Sequence, residues 1–94
     1  MIKINRSKII DDELVEYVDT FYDYKDVALY DTTRCLKSMG RDINYINETM
    51  EDIDDIIQVC MNMHDTCVYF EDIVKNSEYI EFSEILSEYL LDNY

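Results

Sequence analysis

The apolar positions of this chain run in two rhythms, a brief alternation at the start and helical spacing thereafter. Between Met1 and Ile10, Ile2 and Ile4 alternate with polar residues before the segment closes on Ile9–Ile10. That pattern fits a short strand or an extended arm. With no second strand candidate nearby, an N-terminal arm over residues 1–10, or a lead into the first helix, is the expectation. Leu14, Val15, Val18, Phe21 and Tyr22 then fall at i, i+1, i+4, i+7 and i+8, one face of a helix. Asp11 and Asp12 suit its positive end. The stretch Tyr22–Asp26 predicts a bend. A second helix is expected from Asp26 to Met39 on Val27, Leu29, Tyr30, Leu36 and Met39, closed by Gly40, which takes a left-handed C-cap without steric cost.

The longest signal follows. Leu36, Met39, Ile43, Ile46, Met50, Ile53, Ile57, Cys60, His64, Cys67, Glu71 and Val74 are spaced 3-4-3-4 throughout, a heptad seam interrupted only by His64 and Glu71. It predicts one long helix from Asp42 to about Lys75, or two helices with a break near His64–Thr66. At roughly 100° per residue, Glu48, Glu51, Asp52 and Asp55 cluster opposite the seam. Asn76–Ser77 ends that element. A last helix is expected from Glu78 to Leu91, with Phe82, Ile85, Leu86, Tyr89 and Leu90 as its stripe. These elements predict an all-α fold: a single acidic domain over residues 1–94, a small bundle of three to four helices built on one long central helix. Self-association through the seam, as a homodimer, is the accompanying alternative.

Composition agrees with a helical, folded chain: 48 % of residues are hydrophobic, there is one Gly and there is no Pro. Charge adds the sharpest constraint. The net charge is −14, and from Asp42 onward fourteen acids face one base, Lys75. Direct binding of nucleic acid or of an anionic membrane needs the opposite sign. A basic protein surface is the expected partner, one that normally holds phosphate, because carboxylates accept the same bidentate hydrogen bonds from Arg. Glu48/Asp52 and Glu51/Asp55 are like-charge i, i+4 pairs, which do not help a helix. They are therefore the expected partner-binding residues. Of the nine tyrosines, Tyr45 lies off the seam beside these acids and joins them as an interface residue.

Cys60, His64 and Cys67 share one helical face, with Cys35 as an imaginable fourth zinc ligand, but the seam accounts for both cysteines as small packing residues. No metal and no cofactor are expected. Three cysteines without framework spacing, no signal-peptide pattern and no run of transmembrane length point to a reducing, cytoplasmic setting. One His and no nucleophile, phosphate-loop or metalloprotease motif argue against an enzyme. Glu48-x-x-Glu51 is similar to half of the carboxylate pair of all-α nucleotide pyrophosphatases, but the matching downstream pair is missing.

The segment Cys35-Leu36-Lys37-Ser38-Met39-Gly40-Arg41-Asp42-Ile43-Asn44 resembles the BH3 segment of Bcl-2-family proteins. Leu36, Met39 and Ile43 match its large apolar positions and Gly40 its small one. Arg41 stands where that motif carries an acid. The resemblance implies a BH3-like or Bcl-2-like helical regulator as a further alternative. The leading expectation is a non-enzymatic inhibitor or nucleic-acid mimic of the kind found among phage, mobile-element and immunity proteins. Second comes a helical scaffold acting through its seam.

Overall fold

A computed structural model describes residues 1–64, 69–75 and 79–94 of the chain. The element order is β1 (Ile2–Ile10), β2 (Glu13–Phe21), α1 (Tyr24–Ser38), α2 (Ile43–Glu51), α3 (Ile53–His64), α4 (Phe70–Lys75) and α5 (Tyr79–Asn93). The expectation of an all-α fold is therefore corrected: the first 21 residues form an antiparallel hairpin, and the arm and the first helix do not exist.

The hairpin register is unbroken, from Ile2 opposite Phe21 to Ile10 opposite Glu13. Asp11 and Asp12 do not start a helix. They are the two turn residues, with φ of 50° and 65°, the left-handed pair that a type I′ turn requires. The strands are rich in Ile, Val, Tyr, Thr and Phe, which fit a pleated surface. Period two explains the burial better than period 3.6. Ile2, Ile4, Arg6, Val15, Tyr17, Asp19 and Phe21 are buried or half-buried on one face, while Lys3, Asn5, Ser7, Ile9, Leu14, Glu16, Val18 and Thr20 are exposed on the other.

Helix α1 matches the expected second helix closely. Asp23 caps its N-terminus in a reciprocal box with Asp26. At the other end Gly40 has φ +83°, its N–H donates to the Lys37 carbonyl, and the Arg41 N–H donates to the Leu36 carbonyl. These two bonds form a Schellman motif. The segment resembling BH3 consequently straddles a helix end, a left-handed turn and the start of α2. It is not the continuous amphipathic helix that such a motif needs.

The long central helix is also corrected. It is three helices, with a first break at Asp52 (φ −94°, ψ 10°) and a second stretch, residues 65–68, outside the described ones. The sequence-based break near His64–Thr66 falls partly on those residues, as does Cys67. Length gives the reason. A helix from Asp42 to Lys75 would run about 50 Å, whereas the longest dimension of the molecule is 34 Å. Breaking it folds the seam into the core of its own chain. Leu36, Ile46, Ile53, Ile57, Cys60 and Val74 are all buried there. They are joined by Ile56 and Ile73 and by α5, which supplies Tyr79, Phe82, Leu86 and Leu90. Tyr79 and Phe82 stack and Phe70 packs against both at an angle, with ring centroids 5.1–6.4 Å apart. Helix α5 lies against both α1 and α3, and the hairpin packs onto α1 through Phe21, whose ring meets Tyr30 edge-on at 5.5 Å. No described helix is long and apolar enough to cross a membrane.

Candidate functional site

Two surfaces carry chemistry. The first is the acidic one. Glu48 and Glu51 lie on α2, Asp52 at the break and Asp55 in the first turn of α3, and all four side chains are exposed. Among the described residues none of the four has an ion-pair partner. Their neighbour Asp54 pairs with Lys25 at 2.8 Å, and Asp42 caps α2 by accepting from the Tyr45 N–H at 2.9 Å. The break at Asp52 means that the four acids belong to two helices and not to one continuous face. Asp52 and Asp55 approach Tyr94. Its phenol pKa is raised, first by burial, then by Tyr89 and by the negative charge of Asp52 and Asp55.

Tyr45 is held more firmly than an open interface residue. Its hydroxyl donates to the Tyr94 carbonyl at 2.7 Å, tying α2 to the end of α5. The Arg41 guanidinium lies 4.8 Å from its ring centre. One ring face is thus covered and the hydroxyl is engaged.

The second surface was not legible from spacing. The hairpin, α1 and α5 enclose a cleft of about 690 Å³, walled by β1 and β2 on one side and by Arg34, Tyr79, Ile80, Ser83 and Glu84 on the other. A smaller cleft of about 390 Å³ continues between α1 and α5, sharing Arg6, Arg34 and Ser83. At their junction is a polar cluster. Arg6 Nη2 donates to both oxygens of Asp31 at 3.0 Å, and its Nε faces Asp19 at 2.7 Å. The Tyr79 hydroxyl donates to Asp31 as well and lies 3.5 Å from the Val27 carbonyl. Burial alone would lower the Arg6 pKa, but the Asp31 hydrogen bonds and charge outweigh it and the net shift is upward. Burial, then the adjacent Asp31 charge, pushes the Tyr79 phenol well above its usual range. Both shifts run away from neutral pH, so the guanidinium stays charged and the phenol stays protonated, and the cluster is a fixed lock.

The lock joins three elements: the hairpin, α1 and α5. The one signal in the sequence is Arg6 itself, in period-two register with Ile2 and Ile4, where an inward side chain is required.

The Cys60 thiol is fully buried, and burial pushes its pKa up to about 11. This is the environment of a packing residue. His64 Nε2 lies 3.4 Å from Glu81 on α5. No group of three or more His, Cys, Asp or Glu side chains suited to a metal ion is present among the described residues. Compared with protein families, with curated proteins and with solved structures, the chain matches none.

Proposed function

We propose that this protein is a non-enzymatic acidic inhibitor or adaptor that binds the basic surface of a nucleic-acid-binding protein, in place of phosphate. One observation carries the reading. The apolar seam is largely consumed by the protein's own core, whereas Glu48, Glu51, Asp52 and Asp55 are exposed and lack ion-pair partners among the described residues. Exposed carboxylates without counter-ions at the junction of α2 and α3 repel one another weakly through water. A basic partner would relieve that repulsion, and its guanidinium groups would gain charge-assisted hydrogen bonds.

The test is a variant with Glu48→Gln, Glu51→Gln, Asp52→Asn and Asp55→Asn. It keeps shape and hydrogen-bonding capacity while removing four charges, so its circular dichroism and melting should match or slightly exceed the parent's. Its affinity for immobilised poly-lysine at low salt should fall at least ~10-fold, about 1.4 kcal/mol. Parent binding should itself weaken steeply as salt rises. Equal affinity of variant and parent would make this face ordinary solvated surface and sink the proposal.

A further inference from the structure

The hairpin has two outer edges, and among the described residues no backbone hydrogen bond reaches either of them. A two-residue turn makes the closing pair, Ile10 and Glu13, exchange both of its hydrogen bonds. The alternation then fixes every other pair. On β2 the amides and carbonyls of Leu14, Glu16, Val18 and Thr20 point away from β1. Among the described residues no backbone hydrogen bond reaches them from elsewhere. The side chains of the same four residues are all exposed, with Leu14 68 % and Val18 54 % accessible. Of the usual protections of an edge strand, β2 lacks Pro, a bulge and Lys; those it has are acidic, Glu16 on the outer face and Asp19 on the inner.

The two edges differ in charge. β1 carries Lys3, Arg6 and Lys8 and no acid, whereas β2 carries Glu13, Glu16 and Asp19 and no base. We infer that the free edge of β2 is a docking site for an extended, basic segment of a protein partner, which adds to the hairpin as a third strand. This deepens the function proposed above and rests on its premise of a basic partner.

Charge complementarity selects the occupant. A strand alternating Lys or Arg with apolar residues would lay its cations on the outer face beside Glu16, and its apolar side chains on the inner face beside Val15 and Tyr17. A second copy of this chain fits less well, because each copy brings a net charge of −14. Main-chain hydrogen bonds supply affinity in such strand addition, and alternate side chains supply selectivity.

The probe is a short fluorescent peptide alternating lysine and valine, set against a peptide of the same composition with its lysines in one block. Binding to the full chain is read by fluorescence anisotropy, and the site by amide hydrogen exchange resolved by NMR. The alternating peptide should bind at least ~10-fold more tightly than the block peptide, and the Leu14, Glu16, Val18 and Thr20 amides should gain protection. Glu16→Pro removes one outward amide and should lower affinity for the alternating peptide ~10-fold. Leu14→Lys with Val18→Lys, which leaves the backbone intact, should do the same if the proline variant misfolds. Protection confined to Glu48–Asp55 would overturn the strand-addition site while leaving the acidic-face reading standing. Protection at the β2 edge that needs no peptide and rises with protein concentration would assign the edge to a second copy and overturn the inference. Failure of both peptides to bind would remove the edge site and the basic-partner premise together.

Discussion

Replacing Asp31 by Leu tests whether the hairpin is held by its polar lock. The change removes both acceptors of Arg6 Nη2 and the acceptor of the Tyr79 hydroxyl. Deleting one partner of a buried ion pair costs about 3–5 kcal/mol, because the other charge is stranded. Arg6 keeps Asp19 at 2.7 Å, and its side chain is 15 % exposed, so the lower end applies, ~3 kcal/mol. The phenol loses its main partner and has only the Val27 carbonyl at 3.5 Å, which adds ~1 kcal/mol or less. The expected loss of about 3–4 kcal/mol is a large part of the 5–15 kcal/mol typical of a domain. Urea unfolding followed by circular dichroism measures it for Asp31→Leu, for Arg6→Met and for the double variant. Each single change strands a charge and the double change strands neither Arg6 nor Asp31. The double variant should therefore be more stable than the sum of the singles predicts, by ~2 kcal/mol or more. If the single effects add to within about 0.5 kcal/mol, or if Asp31→Leu costs less than ~1 kcal/mol, the lock does not hold the hairpin.

Asp12→Gly should stabilise the hairpin by ~0.5–1 kcal/mol, because Asp12 holds φ 65° in the turn and glycine takes that conformation without strain; an unchanged or lowered urea midpoint would contradict the turn assignment. Alkaline pH should destabilise the fold through Cys60. Its folded pKa of about 11 lies above the ordinary thiol value of 9.0, so the unfolded thiol ionises first. Its contribution is whole below pH 9 and is lost as pH rises toward 11, to a total of roughly 2–3 kcal/mol. Cys60→Ala, although less stable below pH 9, should show a flatter decline across that window when the urea midpoint is measured as a function of pH.

What could be read from the sequence follows how local each signal is. Helix α1 and its end were legible, because Gly40 answers a need for positive φ that few residues meet. Helix α5 was legible from Phe82, Leu86 and Leu90 at helical spacing. The hairpin was not. Leu14, Val18 and Phe21 satisfy a helical spacing while Val15, Tyr17 and Phe21 satisfy period two. The strand pattern was further hidden by Arg6 and Asp19, charged residues at inward positions that make sense only once they pair with each other. The turn carried two Asp where Asn-Gly would have announced it. The three-part division of the seam was hidden for a different reason: heptad spacing records which side is apolar, not how long a helix the body can hold. Of the residues assigned to partner binding, the four acids are exposed as expected, while Tyr45 is fastened to Tyr94. The Arg6–Asp31–Tyr79 lock could not have been found by spacing, since its members are 25 and 48 positions apart.

The lock also has an order in time during synthesis. Arg6, Asp19 and Asp31 all emerge in the first third of the chain, so the hairpin and α1 can meet while the rest is still being made. At that stage α5 does not exist, and the ion pair stands in water, where it is weak and readily exchanged. Tyr79, Phe82, Leu86 and Leu90 arrive in the last sixteen residues. Their arrival covers α1, excludes solvent from Asp31 and strengthens a pairing already made. A nascent chain can therefore correct a wrongly docked hairpin cheaply, and loses that freedom when its final helix closes.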